Sequence, residues 1–491
     1  KEKLGLPDKK FFVPEQVIEH FRTRFNDLIT LESEWSDTYK KLSSSSELKN
    51  IIASTISEKI ISEFDTPDFS AGEVLATRKA FGAVLDSIAD DLPQLVGGSA
   101  DLEPSNYTGN FAEKFGDFTK INQSGRNIPF GVREFPMAAM MNGMALHGGL
   151  IPFGGTFLVF ADYERPALRL AAIQKIRVIH ELTHDSFYVG EDGPTHQPVE
   201  QIMSLRAIPD FCVYRPADAK ETASCMKLAL KNDSMPSALI LTRQGVPIIE
   251  GSQNQVDDNV TKGAYTLLDC SGSPEIVILA SGSEVSLAIE VANKLNDKKI
   301  RVVSMPCWEL FDMQPNEYKE KLIPKRGSLK VSIEAGVTQG WEKYIGRYGL
   351  SIGINHFGSS APAADLAEKF GFTCDIVIEK INETDKDIDI FIITVGTPVT
   401  ADNSVDYSQL FSALEEICKI NLKEKMLDKT YINFEIEEKD NKINIFFNDK
   451  TFNLAGWQTK DIYQNISITH ISSIHVNQQI DKGLFNVPTQ N

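Results

Sequence analysis

The feature that most constrains the fold of this chain is an alternation of strand and helix patterns between residues 71 and 249. Short apolar runs predict strands at 94–99, 177–182, 211–214 and 239–241. Longer segments with apolar residues at helical spacing predict helices at 73–88, 134–147, 163–174 and 219–230. Alternation of this kind predicts a parallel sheet that is covered by helices on both faces.

In a sheet of this kind the functional loops gather at the carboxyl ends of the strands. The turn at 98–102, the histidine His184 and the arginine Arg243 each follow one of the predicted strands. We therefore expect these three places to lie along one edge of the sheet.

A second unit with the same alternation follows a link near 250–262. Its predicted strands are 276–279, 301–304 and 329–333, and a helix is predicted at 284–295. At the other end of the chain, a helical pattern begins at Pro14, and a run of serines separates it from a second amphipathic helix predicted near 47–63. The expected fold class is α/β, with two consecutive parallel-sheet domains, a helical N-terminal connector and an α+β tail.

The expected domain boundaries follow from these patterns. The connector covers 1–70, the two α/β domains cover 71–250 and 251–382, and the tail covers 383–491. In the tail, a buried strand that ends in a turn is predicted at 388–398 and a helix from about residue 407. Alternating segments at 431–436 and 442–447 predict a β-hairpin.

The segment 387–420 of the tail is similar to a short piece of the nucleotide-binding domain of nucleotide-sugar dehydrogenases. It has neither the glycine-rich turn that holds a dinucleotide nor a catalytic cysteine context, so no activity is assigned to it. A fusion of reading frames, or a chimera of neighbouring genes, is the expected origin of the tail. The function of residues 383–491 stays open.

Composition excludes several classes of function. The formal net charge of -18 argues against a nucleic-acid-binding surface, which requires a basic patch. No apolar run reaches the length of about 18 residues that a membrane span needs. The 6 cysteines are scattered without metal-binding spacing and indicate reduced thiols of a cytoplasmic protein. The chain has no signal-peptide pattern and begins with Lys1, so we expect it to start inside a longer reading frame.

The loop at 190–200 carries the clearest functional pattern. It places two titratable groups, Asp192 and His196, between glycines and prolines, and a second histidine, His184, precedes it. Polar groups held in such a loop are typical of catalysis. Taken singly, each feature has a simpler explanation: a lone histidine is usually structural, and Glu134 at a helix start could complement the helix dipole. The joint occurrence of these features in order favours function.

This set of residues, together with Val132-Arg133-Glu134-Phe135 and an aromatic series at 157–163, resembles the transketolase family of thiamine diphosphate enzymes. The resemblance covers the pyrimidine-binding and C-terminal domains and stops near residue 382. It implies reversible transfer of a two-carbon ketol unit from a ketose phosphate to an aldose phosphate, in the pentose phosphate pathway. The implied cofactors are thiamine diphosphate and Mg²⁺.

The resemblance also assigns cofactor-binding residues. Glu134 matches the acid that hydrogen-bonds the pyrimidine ring and thereby activates the cofactor, a role that requires a raised pKa in an apolar pocket. Three aromatic residues match those that enclose the pyrimidine by stacking, and two further residues match a cofactor-lining stretch. These cofactor-binding residues are Phe157, Phe160, Tyr163, Asp101 and Leu102.

On the substrate side, the resemblance places Arg78, Ser105 and Arg243 at the sugar phosphate, with His184 alongside. Two arginines offer planar donor pairs that suit phosphate oxygens. Asp192 would accept a hydrogen bond from a sugar hydroxyl. His196 would contact the C1 hydroxyl of the donor sugar and help to move protons. The implied catalytic residues are Glu134, His184 and His196.

The sequence departs from the family at one place. Transketolases hold the diphosphate and its metal through a Gly-Asp-Gly turn followed by an asparagine, and no Gly-Asp-Gly occurs in these 491 residues. No metal ligand is therefore assigned to this chain, and the Mg²⁺ site is expected on a missing N-terminal domain. The expected partners are sugar phosphates and either a second copy of the chain or a subunit that carries the diphosphate domain.

Several alternatives remain open from the sequence. The chain could be a split subunit, a truncation or a chimera, and its exact sugar preference is open. A non-catalytic remnant that dimerises or regulates is the alternative from a different functional class. Among enzymes, dihydroxyacetone synthase is the nearest alternative, while His184 and the segment 194–198 favour transketolase over deoxyxylulose-phosphate synthase and the β subunit of pyruvate dehydrogenase.

Overall fold

The computed structural model describes residues 1–45, 66–251, 253–325 and 327–384, and the backbone of five strands between residues 423 and 470. The chain divides into two compact units, Lys1–Ile388 and Asp389–Asn491. The second predicted N-terminal helix and the elements predicted at 388–420 lie outside the described residues. None of the described helices has both the length and the apolar character needed to cross a bilayer.

The first sheet has five parallel strands, in the order β2-β3-β4-β6-β5, and a short antiparallel pair, β1 and β7, lies apart from it. The strands are β1 (Val74–Leu75), β2 (Leu95–Ser99), β3 (Ile151–Phe157), β4 (Ile179–Thr183), β5 (Cys212–Tyr214), β6 (Ser237–Leu241) and β7 (Val246–Pro247). The parallel sheet predicted for this region is confirmed.

Nine described helices belong to this region and its flanks. They are α1 (Glu15–Leu42), α2 (Thr77–Ile88), α3 (Glu103–Asn106), α4 (Gly109–Phe115), α5 (Glu134–His147), α6 (Ala161–Gln174), α7 (Gln201–Arg206), α8 (Ala219–Lys231) and α9 (Gln253–Val260). The predicted N-terminal helix is confirmed as α1, which has no buried residue. Its apolar face is therefore solvent-exposed among the described residues.

Two boundaries differ from the sequence expectation. The helix predicted from residue 73 begins at Thr77, because Val74 and Leu75 pair with β7. The interior strand β3 was not predicted, since Gly154 and Gly155 interrupt its apolar pattern. A Cβ at Gly154 would lie 2.4 Å from the Met141 sulfur, so the small residues allow α5 to pack closely on the sheet.

The second sheet also has five strands, in the order β12-β11-β9-β10-β8. Its strands are β8 (Tyr265–Leu268), β9 (Ile276–Ala280), β10 (Ile300–Ser304), β11 (Leu329–Ile333) and β12 (Leu350–Ile352). All pairs are parallel except that of β8 with β10. An antiparallel edge strand on a parallel sheet is common, and β8 had not been predicted.

The helices of the second domain cover both faces of this sheet. They are α10 (Glu284–Lys294), α11 (Trp308–Asp312), α12 (Asn316–Leu322), α13 (Glu342–Ile345), α14 (Ala363–Phe370) and α15 (Cys374–Thr384). Apolar residues of β9, β10 and β11 pack with α10, α14 and α15 in one core cluster. That cluster also includes Phe187 and Val199 of the first domain, so the two domains share a core.

In the second compact unit the structure describes one five-stranded antiparallel sheet. Its strands are β13 (Lys423–Asp428), β14 (Tyr431–Glu438), β15 (Asn441–Asn448), β16 (Leu454–Lys460) and β17 (Ile466–His470), paired in sequence order. The hairpin predicted from residues 431–436 and 442–447 is confirmed, with Ile436 opposite Ile443.

Candidate active site

The carboxyl ends of β2, β4 and β6 lie along one edge of the first sheet, because β2, β3, β4 and β6 are neighbouring parallel strands. The turn after Ser99, the turn at His184 and the segment that begins with Thr242 all leave from this edge. The expectation that these three places share one edge is confirmed.

A pair of threonines holds two predicted phosphate-binding arginines together. The backbone N–H of Thr77 donates to Thr242 Oγ1 at 3.0 Å, and the backbone N–H of Thr242 donates to Thr77 Oγ1 at 2.7 Å. These bonds join the first turn of α2 to the end of β6. The next residue in each segment is an arginine, so Arg78 and Arg243 lie close enough for their charges to interact.

Arg78 is partly buried in this arrangement. Its Nη1 donates to the carbonyl oxygen of Ser105 at 2.9 Å, and its guanidinium lies 5.3 Å from the Tyr107 ring centroid. Burial lowers the pKa of Arg78 and the charge of Arg243 lowers it further, while Tyr107 and Glu181 act in the opposite direction. Among the described residues neither arginine forms an ion pair with a carboxylate. Two cations without such a partner favour the binding of an anion.

Five of the predicted site residues form a continuous aromatic row. The Phe157 and Phe160 rings are nearly parallel at a centroid distance of 5.8 Å, and Tyr163 continues the row at 6.0 Å. The His184 ring stacks on Phe157 at 3.7 Å, and the His196 ring forms a T-shaped pair with Phe160 at a centroid distance of 5.8 Å. The row therefore brings the predicted cofactor-binding rings next to both predicted catalytic histidines.

His184 lies in a constrained and positively charged environment. Its backbone has a φ of 61°, and its Nδ1 is 2.9 Å from Thr183 Oγ1. Burial, followed by the charges of Arg78, Arg243 and His196, lowers the pKa of His184 to about 3. The imidazole is thus neutral at physiological pH and can exchange hydrogen bonds with a hydroxyl group.

This pKa predicts a pH dependence of stability. Because the pKa of His184 is about 3 in the folded chain and 6.5 in the reference state, protonation favours unfolding. The contribution of neutral His184 to the free energy of unfolding is fully present above pH 6.5 and is lost as the pH falls towards 3. Between about pH 7.5 and pH 5 the free energy of unfolding of the unsubstituted chain should fall by about 2 kcal/mol more than that of His184→Asn. This difference corresponds to about 1.4 kcal/mol for each pH unit below 6.5. Denaturation curves of both proteins at the two pH values measure these free energies. Equal losses in the two proteins would refute the lowered pKa of His184.

The turn that follows β2 contains Asp101 and Leu102. The Ser99 hydroxyl accepts from the backbone N–H of Leu102 at 3.1 Å and donates to Asn106 Oδ1 at 2.7 Å. Asn106 Nδ2 in turn donates to the Thr156 carbonyl oxygen at 3.2 Å and to Thr183 Oγ1 at 3.1 Å. Asn106 therefore links the ends of three strands. Sequence reasoning missed it, since it lies in a short helix with no pattern of its own.

Glu134 is the first residue of α5 and is 9% exposed. Its carboxylate forms no hydrogen bond or ion pair with another described residue. The acid is therefore nearly buried and has no partner among the described residues. The helix behind it is apolar, with Met137 and Met141 fully buried. Nearby, Glu164 pairs with His180 at 3.0 Å, and both side chains are fully buried.

The loop at 190–197 folds back on itself. Gly190 and Gly193 have φ values of 85° and 77°, and the backbone N–H of His196 donates to the Gly193 carbonyl oxygen at 3.0 Å. His196 Nδ1 lies 2.9 Å from Thr195 Oγ1.

The carboxylates of Asp101 and Asp192 are exposed, and the described contacts do not join either of them to the other predicted residues. No cluster of three or more potential metal ligands occurs among the described residues.

Two family models match the chain. The transketolase pyrimidine-binding domain matches residues 73–248, and the transketolase-like C-terminal domain matches residues 263–373. A transketolase of Aquifex aeolicus is 44% identical over 391 residues, which are 78% of this chain and 56% of that protein. The chain thus spans about half the length of the curated relatives it matches.

Solved structures give the same result. A Pichia stipitis transketolase in complex with sedoheptulose 7-phosphate is 36% identical, with a TM-score of 0.71 over 78% of this chain and 57% of that chain. A split-gene transketolase described as an inactive β4 tetramer is 25% identical, with a TM-score of 0.52 over 64% of this chain and 98% of that chain. This chain belongs to the transketolase family and contains its pyrimidine-binding and C-terminal domains.

Proposed function

We propose that this chain is the pyrimidine-binding and C-terminal part of a transketolase. With a diphosphate-binding partner it transfers a two-carbon ketol unit reversibly between a ketose phosphate and an aldose phosphate. The observation that carries this proposal is the meeting of an arginine pair, two histidines and an aromatic row at one sheet edge. We further propose that it acts in the cytoplasm, in the pentose phosphate pathway.

The residues present fit the pyrimidine end of thiamine diphosphate. Tyr163 is 63% exposed, so the aromatic row has a free face against which a flat ring can stack. Glu134 supplies a carboxyl group that has no other partner among the described residues, and in its protonated form it would donate to a ring nitrogen. The bound cofactor supplies the carbon nucleophile of the reaction. Asp101 and Leu102 would lie beside the same ring.

On the substrate side each residue has a task set by its chemistry. Arg78 and Arg243 bind the phosphate of the sugar, with Ser105 beside Arg78. His184, kept neutral by its surroundings, accepts or donates a hydrogen bond without adding charge. Asp192 accepts from a sugar hydroxyl, and His196 moves a proton at the C1 hydroxyl of the donor sugar. The Mg²⁺ and its ligands come from the partner.

The partner surface lies next to the proposed cofactor residues. Helices α5 and α6 pack side by side, and Asn142 Nδ2 donates to the Ala167 carbonyl oxygen at 2.9 Å between them. Their outer faces expose large apolar side chains, 46% to 59% accessible: Phe135, Met140, Leu170 and Ile173. An apolar patch of this kind marks an interaction site. We propose that it binds the diphosphate-domain subunit or a second copy of the chain.

The arginine pair provides the test of the substrate side. Arg243→Met removes a charged hydrogen-bond donor, so ribose 5-phosphate should bind the full chain about 10- to 100-fold more weakly. Arg347→Met, at an exposed arginine of the second domain, is the matched control and should bind like the unsubstituted chain. Calorimetric titration measures both. Equal affinity of Arg243→Met and the unsubstituted chain would contradict the proposed phosphate site.

A further inference from the structure

Four of the six predicted substrate-binding residues share a structural feature that their own contacts do not reveal. Each of these four has a direct chain neighbour that is joined to the second domain by hydrogen bonds, either directly or through Arg215. His196 is followed by Gln197, Asp192 is preceded by Glu191, His184 is followed by Asp185 and Arg243 is followed by Gln244.

The anchor beside His196 is the most complete. Gln197 is 2% exposed, and its Nε2 donates to the Ser359 carbonyl oxygen at 2.9 Å, while its Oε1 accepts from the Ser359 backbone N–H at 3.1 Å. The same Nε2 donates to the Gly190 carbonyl oxygen at 2.7 Å, which closes the loop on itself. One residue further along the second domain, the hydroxyl of Ser360 donates to the carbonyl oxygen of Glu191.

A second group of anchors leads to the segment 281–284 after β9, and for Asp185 the link runs through Arg215 of the first domain. Asp185 accepts from Arg215 Nε at 3.2 Å and from Nη2 at 2.7 Å. The other guanidinium nitrogen, Nη1, donates to the Ser281 carbonyl oxygen at 2.9 Å and to Glu284 at 2.5 Å. Beside Arg243, Gln244 Nε2 donates to Ser283 Oγ at 3.1 Å.

We propose that the C-terminal domain positions the sugar-phosphate side of the active site, acting through Gln197, Glu191, Asp185 and Gln244. Two of its segments, 281–284 and 359–360, hold three loops in place, at 184–185, 190–197 and 242–244, although it contributes none of the assigned substrate-binding residues. Catalytic groups must be held within about 0.5 Å of their working positions, and consecutive Cα atoms are about 3.8 Å apart. An anchored neighbour therefore fixes the functional residue. The identity of the substrate-binding residues rests on the proposed function.

The interface between the domains contains other bonds that provide a control. Tyr265 OH donates to Glu221 Oε1 at 2.7 Å, and both groups are buried. This bond joins β8 to α8 and involves no neighbour of a predicted site residue. Tyr265→Phe therefore removes an interdomain hydrogen bond without loosening the three loops, whereas Gln197→Met removes an anchor of one loop at nearly constant volume.

The test measures hydrogen exchange in the full chain without ligand. In Gln197→Met the amides of 190–197 should exchange about 10-fold or more faster, because local opening no longer breaks three hydrogen bonds. Gly358→Ala is the second variant, since its Cβ would lie 1.7 Å from Gln197 Oε1 and displace that amide. Tyr265→Phe should leave exchange of 190–197 unchanged, even if it melts at a lower temperature.

A readout of catalysis separates positioning from mere stability. In a chain reconstituted with a diphosphate-domain partner, Gln197→Met should raise the KM for the ketose phosphate about 10-fold and leave C2 proton exchange of the cofactor unchanged. Unchanged exchange of 190–197 in both Gln197→Met and Gly358→Ala would overturn the inference. Failure of the unsubstituted chain to bind ribose 5-phosphate would instead overturn the proposed function, and the exchange data would still decide the anchoring.

Discussion

Glu134→Gln is expected to slow C2 proton exchange of bound thiamine diphosphate by about 10²- to 10⁴-fold in a chain reconstituted with a diphosphate-domain partner. Glutamine keeps the size of the side chain and a hydrogen-bond donor, but it cannot exchange a proton with the pyrimidine ring. Glu134 is nearly buried at the start of an apolar helix and lacks a hydrogen-bonding partner among the described residues. The carboxyl group is therefore available to a ligand.

The competing explanation of Glu134 is a role at the helix dipole. That role is worth about 0.3–1 kcal/mol of stability and predicts no effect on the cofactor. Glu342→Gln is the matched control, since Glu342 is also the first residue of a helix and lies in the second domain. Exchange followed by NMR in deuterated solvent measures the rate. If Glu134→Gln exchanges the C2 proton as fast as Glu342→Gln, Glu134 is not the activating acid.

Arg215→Met should destabilise the chain by about 3–5 kcal/mol, the cost of leaving buried carboxylates without their partner. The guanidinium is fully buried between Asp185, at 2.7 Å, and Glu284, at 2.5 Å. Although burial disfavours its charge, these carboxylates and Glu334 raise the pKa of Arg215. Both carboxylates would remain buried in the variant without the cation that compensates them.

Tryptophan fluorescence during urea denaturation reports this change. Trp341 Nε1 donates to Glu334 at 3.0 Å, and Glu334 also binds Arg206 through two bonds of 2.8 Å, so an indole lies inside the charge cluster. Arg301→Met is the control, because the pair of Arg301 with the exposed Asp269 should contribute about 0–1 kcal/mol. If Arg215→Met loses no more free energy of unfolding than Arg301→Met, the buried charge cluster around Arg215 does not stabilise the chain.

Much of the fold could be predicted from the sequence, and the exceptions have physical causes. Helix α5 was predicted with its observed ends, since Glu134 and Gly148 mark both termini. Strand β3 was missed because its glycines serve close packing against Met141 and Glu181, and no local pattern signals that need. The antiparallel strand β8 was missed because it has only 4 residues.

The sequence likewise allowed only part of the candidate site to be assigned. The aromatic row and the arginines could be assigned because they match the transketolase family, and the structure brings the row and both arginines close to His184. Asn106 and Gln197 could not be given a role, because their partners are distant in sequence. Gln197 and Ser359 are separated by 162 positions, and only the packing of the second domain brings them into contact. No periodicity in a single chain carries that information.

Complementation tests most directly whether this chain supplies one side of a transketolase site. The purified chain is assayed with xylulose 5-phosphate, ribose 5-phosphate, thiamine diphosphate and Mg²⁺. The assay is run alone and with the part of the Aquifex aeolicus transketolase that this chain does not match. We expect no turnover by the chain alone and turnover by the mixture. Turnover by the chain alone at an ordinary enzymatic rate, on the order of 10 per second, would contradict it.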